Sequence, residues 1–453
     1  MTFNETIKKL LRYPYSLLPY KYRLHNSYFV TKNIIKNNLL NKKSIIDNYK
    51  LKKLREILQY AYKYCPGYFQ LFKEASIEPK DLKKLSDIKF FPYITKELLR
   101  DNLKDFTSRD KTLKKKFYVT TSGSTGVPFG FYNTKEENAI ELAFIHNAWE
   151  AIGWKIGDNS IVLRGAYIGS KEKLSYYNPS TNELHISSYN LQQKNYKRLK
   201  EIFLKKKILD IQAFPSAAIN LSNLIIENND IRKINFRFFF LGSENFTEWQ
   251  EKQIKKAFPD STILTWYGHT EKCALAVKYP ENNFYNICDE YGFSEIYTNN
   301  KNKIKKFFKK EIVSTSYFVK ATPFIRYRTS DFASGELNKD GSIYKIYKIE
   351  GRKQEFIFTK SKKKIYISSW ASILHNDIFD KIKEFQFHQK KYGKVILNII
   401  PKKNFKEQDR SIIYNQLKKK FGNDLDIQII IVSDIVKSLR NKHTFIKNDI
   451  IIS

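Results

Sequence analysis

Hydroxyl and glycine residues crowd one short stretch of the chain, and their spacing could hold a phosphate group. The stretch follows an apolar run that begins at Phe117, and it stops at Pro128. Glycines leave backbone N–H groups open to an anion, and neighbouring hydroxyls add donors that can turn toward it. No Gly-Lys-Ser/Thr sequence follows the second glycine, so this is not a Walker P-loop; a plain polar turn is the alternative. The residues are Thr121, Ser122, Gly123, Ser124, Thr125 and Gly126.

Further polar motifs also follow apolar runs. One comes after the run 236–241, the next after the run 261–266, and Asp331 closes a run that starts at Phe324. Because open α/β sheets bind ligands beyond the ends of their strands, these positions favour a shared binding edge. The two motifs are Gly242, Ser243 and Glu244, and then Tyr267, Gly268, His269, Thr270 and Glu271. Arg352 and Lys442 complete the ordered set.

The elements that must position these residues change character along the chain. Residues 1–105 are predicted to be mostly helical, with Leu51, Leu54 and Leu58 at helical spacing. From 117 to about 300, short apolar runs alternate with amphipathic stretches, as in an α/β domain. The predicted strands are 160–167, 209–214, 236–241 and 261–266, and the predicted helices are 215–227 and 247–258.

The remainder of the chain predicts a second, smaller unit. Strands and turns dominate 285–349, and Gly351 then marks a break. After it, the apolar runs 395–400 and 427–432 flank a helical stretch near 409–421. We therefore predict a large domain over 1–350 and a small α+β domain over 351–453.

The composition describes a globular and strongly basic protein. The chain has 453 residues, of which 42% are hydrophobic, and this is enough for two or three domains with a substantial core. Its net charge of +35 favours the binding of phosphates, anionic polymers or an anionic membrane surface. The alternative is that the charge reflects a general bias toward lysine in the sequence. The lysines are scattered, without an arginine-rich arm or zinc-finger spacing, which argues against specific nucleic-acid recognition.

The cysteines and the N-terminus favour a cytoplasmic location. Cys65, Cys273 and Cys288 lie far apart, which argues against a disulfide framework and against a four-ligand zinc site. The N-terminal residues lack the uninterrupted apolar core of a signal peptide. No run reaches about 18 apolar residues, so we expect no transmembrane segment. Peripheral contact with a membrane through the basic surface stays open.

The motifs, taken in this order, resemble those of the adenylate-forming superfamily of acyl-CoA synthetases and peptide-synthetase adenylation domains. The phenylacetate–CoA ligase branch is most similar, in particular its CapK-like capsule-biosynthesis proteins. Residues 60–68 and 92–96 look like the N-terminal helical signature of that branch. The resemblance covers nearly the whole chain. It implies an α/β fold in which a large multi-sheet N-terminal adenylation domain precedes a small mobile α+β C-terminal domain.

The resemblance also implies how the first motifs would bind ATP. The 121–126 loop would cradle the β- and γ-phosphates, and residues 242–244 would border the adenine. Tyr267 would stack on the adenine, and Thr270 would bind the α-phosphate. For each motif, the alternative is a polar turn that only joins a strand to a helix.

Charged residues of the set would take the remaining roles. Glu271 would hold Mg²⁺, a hard ion that prefers carboxylate and phosphate oxygens. His269 would either contact the substrate carboxylate or pack under the loop. Asp331 would accept hydrogen bonds from the ribose hydroxyls. Arg352 would contact the ribose or a phosphate at the hinge, and Lys442 would neutralise the charge that develops on the α-phosphate.

The activity implied by the resemblance is ATP-dependent activation of a small carboxylic or amino acid as an acyl-AMP. The acceptor would be an amino sugar or a lipid-linked saccharide in CapK-like proteins, and coenzyme A in phenylacetate–CoA ligases. Lysines at 360–364 replace a glycine turn that helps to admit the pantetheine arm, which argues against coenzyme A. A non-catalytic nucleotide-binding homologue is a further alternative.

The acid would lie in an apolar and aromatic pocket, although a hydrophobic core needs the same residue types. The residues expected to line it are His146, Trp149, Gly165 to Tyr167, Phe214 and Trp266.

Overall fold

The structure of the protein is a computed structural model in which most of the chain is described. The described residues are 17–39, 43–113, 115–120, 129–164, 174–205, 210–298, 306–352, 356–362, 364–366, 381–436 and 446–450. Within these ranges, no helix is both long enough and apolar enough to cross a bilayer.

Helices build the N-terminal region, as the periodicity predicted. The second helix buries Leu54, Leu58 and Ala61 completely. It ends at Tyr64, and Pro66 then takes the first position of the next helix, where its missing N–H leaves no helical bond unmade. The helices are α1 (Asn26–Leu39), α2 (Lys43–Tyr64), α3 (Pro66–Glu74), α4 (Lys96–Asp101) and α5 (Leu103–Phe106).

A two-stranded antiparallel sheet brackets residues 121–128, which lie outside the described residues. Its strands are β1 (Phe117–Thr120) and β2 (Gly130–Asn133), with Thr120 opposite Gly130. Helix α6 (Lys135–Glu150) begins directly after β2. Thr134 and Glu137 form a capping box at its start, which satisfies two of the free N–H groups of the first turn.

The centre of the molecule is a mainly parallel sheet, with one antiparallel strand, Ser175–Asn178, at its end. Phe238 to Leu241 are all buried, as expected for a strand that is covered on both faces. The strands are β3 (Ser160–Arg164), β4 (Ser175–Asn178), β5 (Glu183–Ser187), β6 (Asp210–Ala213), β7 (Phe238–Gly242) and β8 (Thr262–Gly268). The helices are α7 (Tyr196–Lys205), α8 (Pro215–Glu227) and α9 (Glu248–Ala257), so the predicted strands and helices of this region are confirmed.

Antiparallel strands continue the same sheet beyond β8, so that it has twelve strands among the described residues. Their order from β8 outward is β9, β10, β14, β13, β12 and β11. A bridge between Glu295 and Ser342 also joins β11 to the segment before β14. The ranges are β9 (Leu275–Lys278), β10 (Tyr285–Ile287), β11 (Gly292–Ile296), β12 (Phe307–Ser316), β13 (Tyr327–Leu337) and β14 (Ile343–Arg352).

The C-terminal residues form a sheet and a hydrophobic cluster of their own. Leu397, Ile413 and Leu417 are fully buried in that cluster. The strand order is β19-β18-β17-β20, with one helix packed against the sheet. The elements are β15 (Phe356–Phe358), β16 (Lys364–Tyr366), β17 (Ile382–Lys391), β18 (Lys394–Pro401), α10 (Glu407–Phe421), β19 (Asp426–Ile431) and β20 (Ile446–Asn448). The α/β class with a small α+β C-terminal unit is confirmed, whereas the boundary at 350 stays a prediction.

Candidate active site

Strand order brings two of the motifs to one edge of the sheet. β7 and β8 are parallel neighbours, and Gly242 at the end of β7 lies opposite Trp266. The turns that follow Gly242 and Gly268 therefore leave the sheet from adjacent strands. A Cβ atom at position 242 would lie 2.7 Å from the Trp266 ring, so glycine is needed for this close approach.

Tyr267 and Asp331 meet although they belong to different strands. The Tyr267 hydroxyl donates to Asp331 Oδ2 at 2.9 Å, and both residues are buried. Burial raises the pKa of this hydroxyl well above its usual value of 10.0, so it stays a hydrogen-bond donor at neutral pH. The bond orients the Asp331 carboxylate. It places Tyr267, predicted to stack on adenine, beside Asp331, predicted to bind the ribose.

Glu271 is contacted from two sides. Tyr327 Oη donates to Glu271 Oε1 at 3.1 Å, and His269 Nδ1 lies 3.8 Å from Oε2. Glu271 is 8% exposed, so its side chain is not the solvated surface charge expected for an isolated glutamate. Burial raises the pKa of the Tyr327 hydroxyl, which keeps this group a donor to the carboxylate.

His269 packs inside the same turn. Its ring meets the Tyr267 ring edge-on, with centroids 5.8 Å apart, and its Nε2 lies 3.6 Å from Cys273 Sγ. The Lys272 N–H donates to the His269 carbonyl at 3.0 Å and closes the turn that carries Glu271. These contacts favour the packing alternative for His269, and its contact with a substrate carboxylate stays a prediction.

The donor set at Glu271 fits a Mg²⁺ ion that is bound mainly by substrate phosphates. No group of three or more His, Cys, Asp or Glu side chains that could hold a metal occurs among the described residues. Mg²⁺ ordinarily keeps several waters and uses one or two carboxylates together with phosphate oxygens. A single buried carboxylate at the sheet edge is consistent with that mode.

The turn after β7 is anchored by its glutamate. Glu244 accepts hydrogen bonds from the Ser216 N–H and the Ser216 hydroxyl, both at 3.0 Å. Ser216 lies in the first turn of α8, where free N–H groups and the helix dipole favour a carboxylate. Ser243 adopts a φ of 68°, which is unusual for a residue with a side chain. Glu244 therefore holds the turn in place, and its contact with adenine stays a prediction.

The remaining predicted residues are placed only in part. Arg352 lies opposite Asp331 in the β13–β14 ladder, so its backbone is next to the site. Thr270 is half-buried in the turn before Glu271. The predicted phosphate loop and the predicted mobile lysine lie outside the described residues: Thr121, Ser122, Gly123, Ser124, Thr125, Gly126 and Lys442.

Two residues that contact the site were missed by sequence reasoning. Tyr327 lies in the apolar run that leads to Asp331, and there it was counted only as part of a strand. Its position directly before the Arg328–Thr329 pair was the available signal. Lys272 directly follows Glu271, but one lysine in a lysine-rich chain carries no signal of its own.

The expected acyl pocket is not one continuous cluster among the described residues. His146 is buried against Trp149 and Trp154, and its Nδ1 lies 3.1 Å from Tyr28 Oη. Phe214 belongs to a different hydrophobic cluster from Trp149. The part around His146 is therefore a packed core, which was the alternative interpretation.

A cavity of about 670 Å³ lies away from these motifs. It is bounded by the segment 86–89, by β11 and by the turn 337–341. None of the motif residues lines it, and its two acidic residues are already engaged: Glu295 pairs with Arg326, and Asp340 accepts hydrogen bonds from Ser342. The cavity therefore does not identify the nucleotide site.

Comparisons with known proteins concern the family and the fold. Residues 357–449 match the CapK C-terminal domain family. The chain is 22% identical to protein CapK of Staphylococcus aureus over 411 residues, which is 88% of each chain. It is also 22% identical to the phenylacetate-coenzyme A ligase of Escherichia coli (strain K12), covering 68% of this chain and 71% of that enzyme.

The fold is also that of a solved ligase. The crystal structure of 2-hydroxyisobutyryl-CoA ligase in the postadenylation state, in complex with R3-HIB-AMP, matches with a TM-score of 0.70. The match has 18% identity and covers 89% of both chains. The resemblance to the adenylate-forming superfamily and to its CapK-like branch, predicted from the motifs, is confirmed.

Proposed function

We propose that the protein is an ATP-dependent adenylate-forming ligase. The observation that carries this proposal is the meeting of two buried carboxylates with two buried tyrosines at one sheet edge, Tyr267 with Asp331 and Tyr327 with Glu271. We assign Asp331 the role of ribose acceptor and Glu271 the role of ligand to a phosphate-bound cation, which suit carboxylates held in one orientation by a hydrogen bond. A polar turn without a ligand would not require either carboxylate to be buried.

In the proposed reaction, a carboxylate oxygen of the acid attacks the α-phosphorus of ATP. The bond from that phosphorus to the bridging oxygen breaks, and pyrophosphate leaves with the electron pair. Asp331 would fix the ribose, with Tyr267 holding its carboxylate, and Thr270 would donate to the α-phosphate. Mg²⁺, when bound at Glu271, would neutralise phosphate charge.

The second step would transfer the acyl group from AMP to an acceptor. We propose an amino group of a surface-polysaccharide precursor, because the full-length relative is CapK. The turn at 359–362 supports an acceptor other than coenzyme A. Ser361 N–H and hydroxyl donate to the Asp424 carboxylate at 3.0 and 2.7 Å, and Lys360 pairs with Asp426 at 2.7 Å. Two aspartates therefore fasten this turn, in which lysines stand where the resemblance places a glycine turn.

Coenzyme A as acceptor is the second candidate function. Phenylacetate-coenzyme A ligases are among the relatives, and the structural neighbour is named as a CoA ligase. The two candidates are separated by incubating the protein with ATP, Mg²⁺, an acid that supports ATP–pyrophosphate exchange, and either coenzyme A or amino sugars. The products are identified by mass spectrometry. A thioester would support this second candidate, and an amide would support the first.

The first step is tested by ATP–pyrophosphate exchange against a panel of carboxylic and amino acids. Exchange that depends on one class of acid and is lost in Glu271→Gln is expected. If no acid supports exchange although ATP binds, the protein is a non-catalytic nucleotide-binding homologue. Equal exchange in Glu271→Gln and wild type would overturn the role proposed for Glu271.

Lys442 would act in the first step and not in the second, if the small domain rotates near residue 352 as in the superfamily. Lys442→Ala is therefore expected to impair adenylation much more than acyl transfer from synthetic acyl-AMP. Equal losses in both half-reactions would contradict this role. Because the proposed reaction uses ATP, we place it in the cytoplasm.

A further inference from the structure

Lys272, the residue after Glu271, is held in an unfavourable backbone conformation. Its φ is 53°, in the left-handed region that is strained for a residue with a side chain. Glycine or asparagine would adopt this conformation more readily. The side chain of Lys272 is nevertheless only 6% exposed. The contacts of the Lys272 side chain, and not the conformational preference of its backbone, therefore account for a lysine at this position.

The buried ammonium group of Lys272 joins three segments. Lys272 Nζ lies 3.4 Å from Glu141 Oε2 in α6 and 3.4 Å from the Thr270 carbonyl in its own turn. It also donates to Asn133 Oδ1 at 3.0 Å when the Asn133 amide is oriented to satisfy both of its neighbours. Asn133 is the last residue of β2, the strand that leads away from the hydroxyl-rich stretch.

The partners of Lys272 are themselves fixed. In the same orientation, the Asn133 amide donates to Glu137 Oε2 at 3.2 Å. Glu137 Oε1 accepts the backbone N–H groups of Lys320 and Ala321 at 2.7 and 2.9 Å. Tyr291 donates to Glu141 Oε1 at 3.3 Å. The ammonium therefore ties the Glu271 turn to partners that have further hydrogen bonds of their own.

We propose that Lys272 is a positioning residue that couples the Glu271 turn to β2. Its ammonium would fix the position of the turn that carries the Glu271 carboxylate, the group that would hold Mg²⁺ when the ion is bound with ATP. This inference rests on the proposed adenylation function. It assigns to Lys272 an effect on Mg²⁺-dependent nucleotide binding that a purely structural lysine would not have.

The chain offers a matched control for a purely structural role. Lys50 is 1% exposed, and its ammonium lies 3.1 Å from Asp289 and 3.4 Å from Ser342 Oγ. It is a buried, ion-paired lysine like Lys272, but it contacts none of the motif residues among the described part of the chain. Substitution of either lysine by methionine removes a buried charge from its partners, so both variants should lose stability.

The experiment is calorimetric titration of wild type, Lys272→Met, Lys272→Arg and Lys50→Met with α,β-methylene-ATP, with and without Mg²⁺. The measured quantity is the ratio of the two dissociation constants, which does not require turnover. Mg²⁺ should tighten nucleotide binding in Lys272→Met by a smaller factor than in wild type. The two factors should differ about tenfold or more, as for other residues that position metal ligands. Lys272→Arg should recover part of the ratio, and Lys50→Met should keep the wild-type ratio.

Each outcome bears on one proposal. If Lys272→Met keeps the wild-type ratio, or if Lys50→Met changes it equally, the positioning role is wrong while the adenylation proposal stands. If wild type does not bind the nucleotide either with or without Mg²⁺, both the adenylation proposal and this inference are wrong. Should Lys272→Met not fold, Glu141→Gln weakens the same ion pair without removing the ammonium, and a wild-type ratio in that variant would overturn the inference.

Discussion

Tyr327 and Glu271 are hydrogen-bonded at 3.1 Å, between residues that are 56 positions apart in the chain. The tyrosine comes from β13 and the glutamate from the turn after β8, and the strand order leaves β14, β10 and β9 between those two strands. The bond therefore crosses the sheet and is not a contact between neighbouring strands. It engages one carboxylate oxygen, so the orientation of Glu271 depends on a residue outside its own motif.

Tyr327→Phe removes this hydroxyl while it keeps the ring. We expect the KM for Mg·ATP to rise in ATP–pyrophosphate exchange, with a loss of stability of about 1 kcal/mol, the ordinary net value of one hydrogen bond. Tyr317→Phe is the matched control, since the buried Tyr317 hydroxyl has no hydrogen-bond partner among the described residues. An unchanged KM in Tyr327→Phe, or an equal rise in Tyr317→Phe, would contradict the orienting role.

Asp331→Asn should weaken nucleotide binding through the ribose. A hydrogen bond to a charged group contributes about 1.5 to 3 kcal/mol, so the loss of the charge should lower affinity for ATP roughly tenfold or more. The sharper readout is selectivity, because wild type should prefer ATP to 2′-deoxy-ATP and the variant should discriminate less. Asp340→Asn serves as the control, since Asp340 bonds Ser342 within a turn away from the motifs. Selectivity that survives in Asp331→Asn would exclude the ribose contact.

The buried pair of Arg326 and Glu295 should dominate stability near the N-terminal helices. Arg326 donates two bonds to the Glu295 carboxylate, both at 2.8 Å, and another to the Lys89 carbonyl at 2.8 Å. Removal of one partner leaves a buried charge, so Arg326→Met should cost about 3 to 5 kcal/mol of unfolding free energy in urea. Arg410→Met, at an exposed pair with Glu407, should cost less than about 1 kcal/mol. Similar losses in the two variants would show that burial does not set the cost.

Two buried groups should give opposite pH dependences of stability. Burial lowers the pKa of His146 from 6.5 to about 3, so the stability it contributes is present above pH 6.5 and is lost progressively as the pH falls. Burial raises the pKa of Asp210 from 3.8 to about 6, so its contribution is present below pH 3.8 and is lost as the pH rises through 6. From pH 7 to pH 5, His146 should destabilise by about 2 kcal/mol and Asp210 should stabilise by about 1 kcal/mol.

Asp210→Asn isolates one of these opposing effects. The other titrating groups contribute equally to both proteins, so they cancel when the change from pH 7 to pH 5 in the variant is subtracted from the same change in wild type. The variant should therefore lose about 1 kcal/mol more than wild type between pH 7 and pH 5, measured by urea unfolding. An identical pH response in the two proteins would show that the Asp210 pKa is not raised in the folded state.

The sequence by itself determined the elements and the order of the motifs. Strands such as 238–242 and helices such as 215–227 follow from patterns of apolar residues that are neighbours in the chain, and Pro66 marks a helix start for a local steric reason. The ends of these strands already indicated a ligand-binding edge, because ligands of α/β sheets bind there, and the resemblance of the motifs implied that the ligand is a nucleotide. These predictions needed no knowledge of distant contacts.

Only the tertiary structure decided what the motif side chains contact. The bond from Tyr267 to Asp331 spans 64 positions, and the ion pair of Lys272 with Glu141 links a turn to a helix more than a hundred residues earlier. Local patterns report which face of an element is apolar, but they do not report which elements become neighbours, since that depends on sheet order and on the packing of the whole core. For the same reason, local patterns did not predict that His146 packs in the core or that the ammonium of Lys272 is buried.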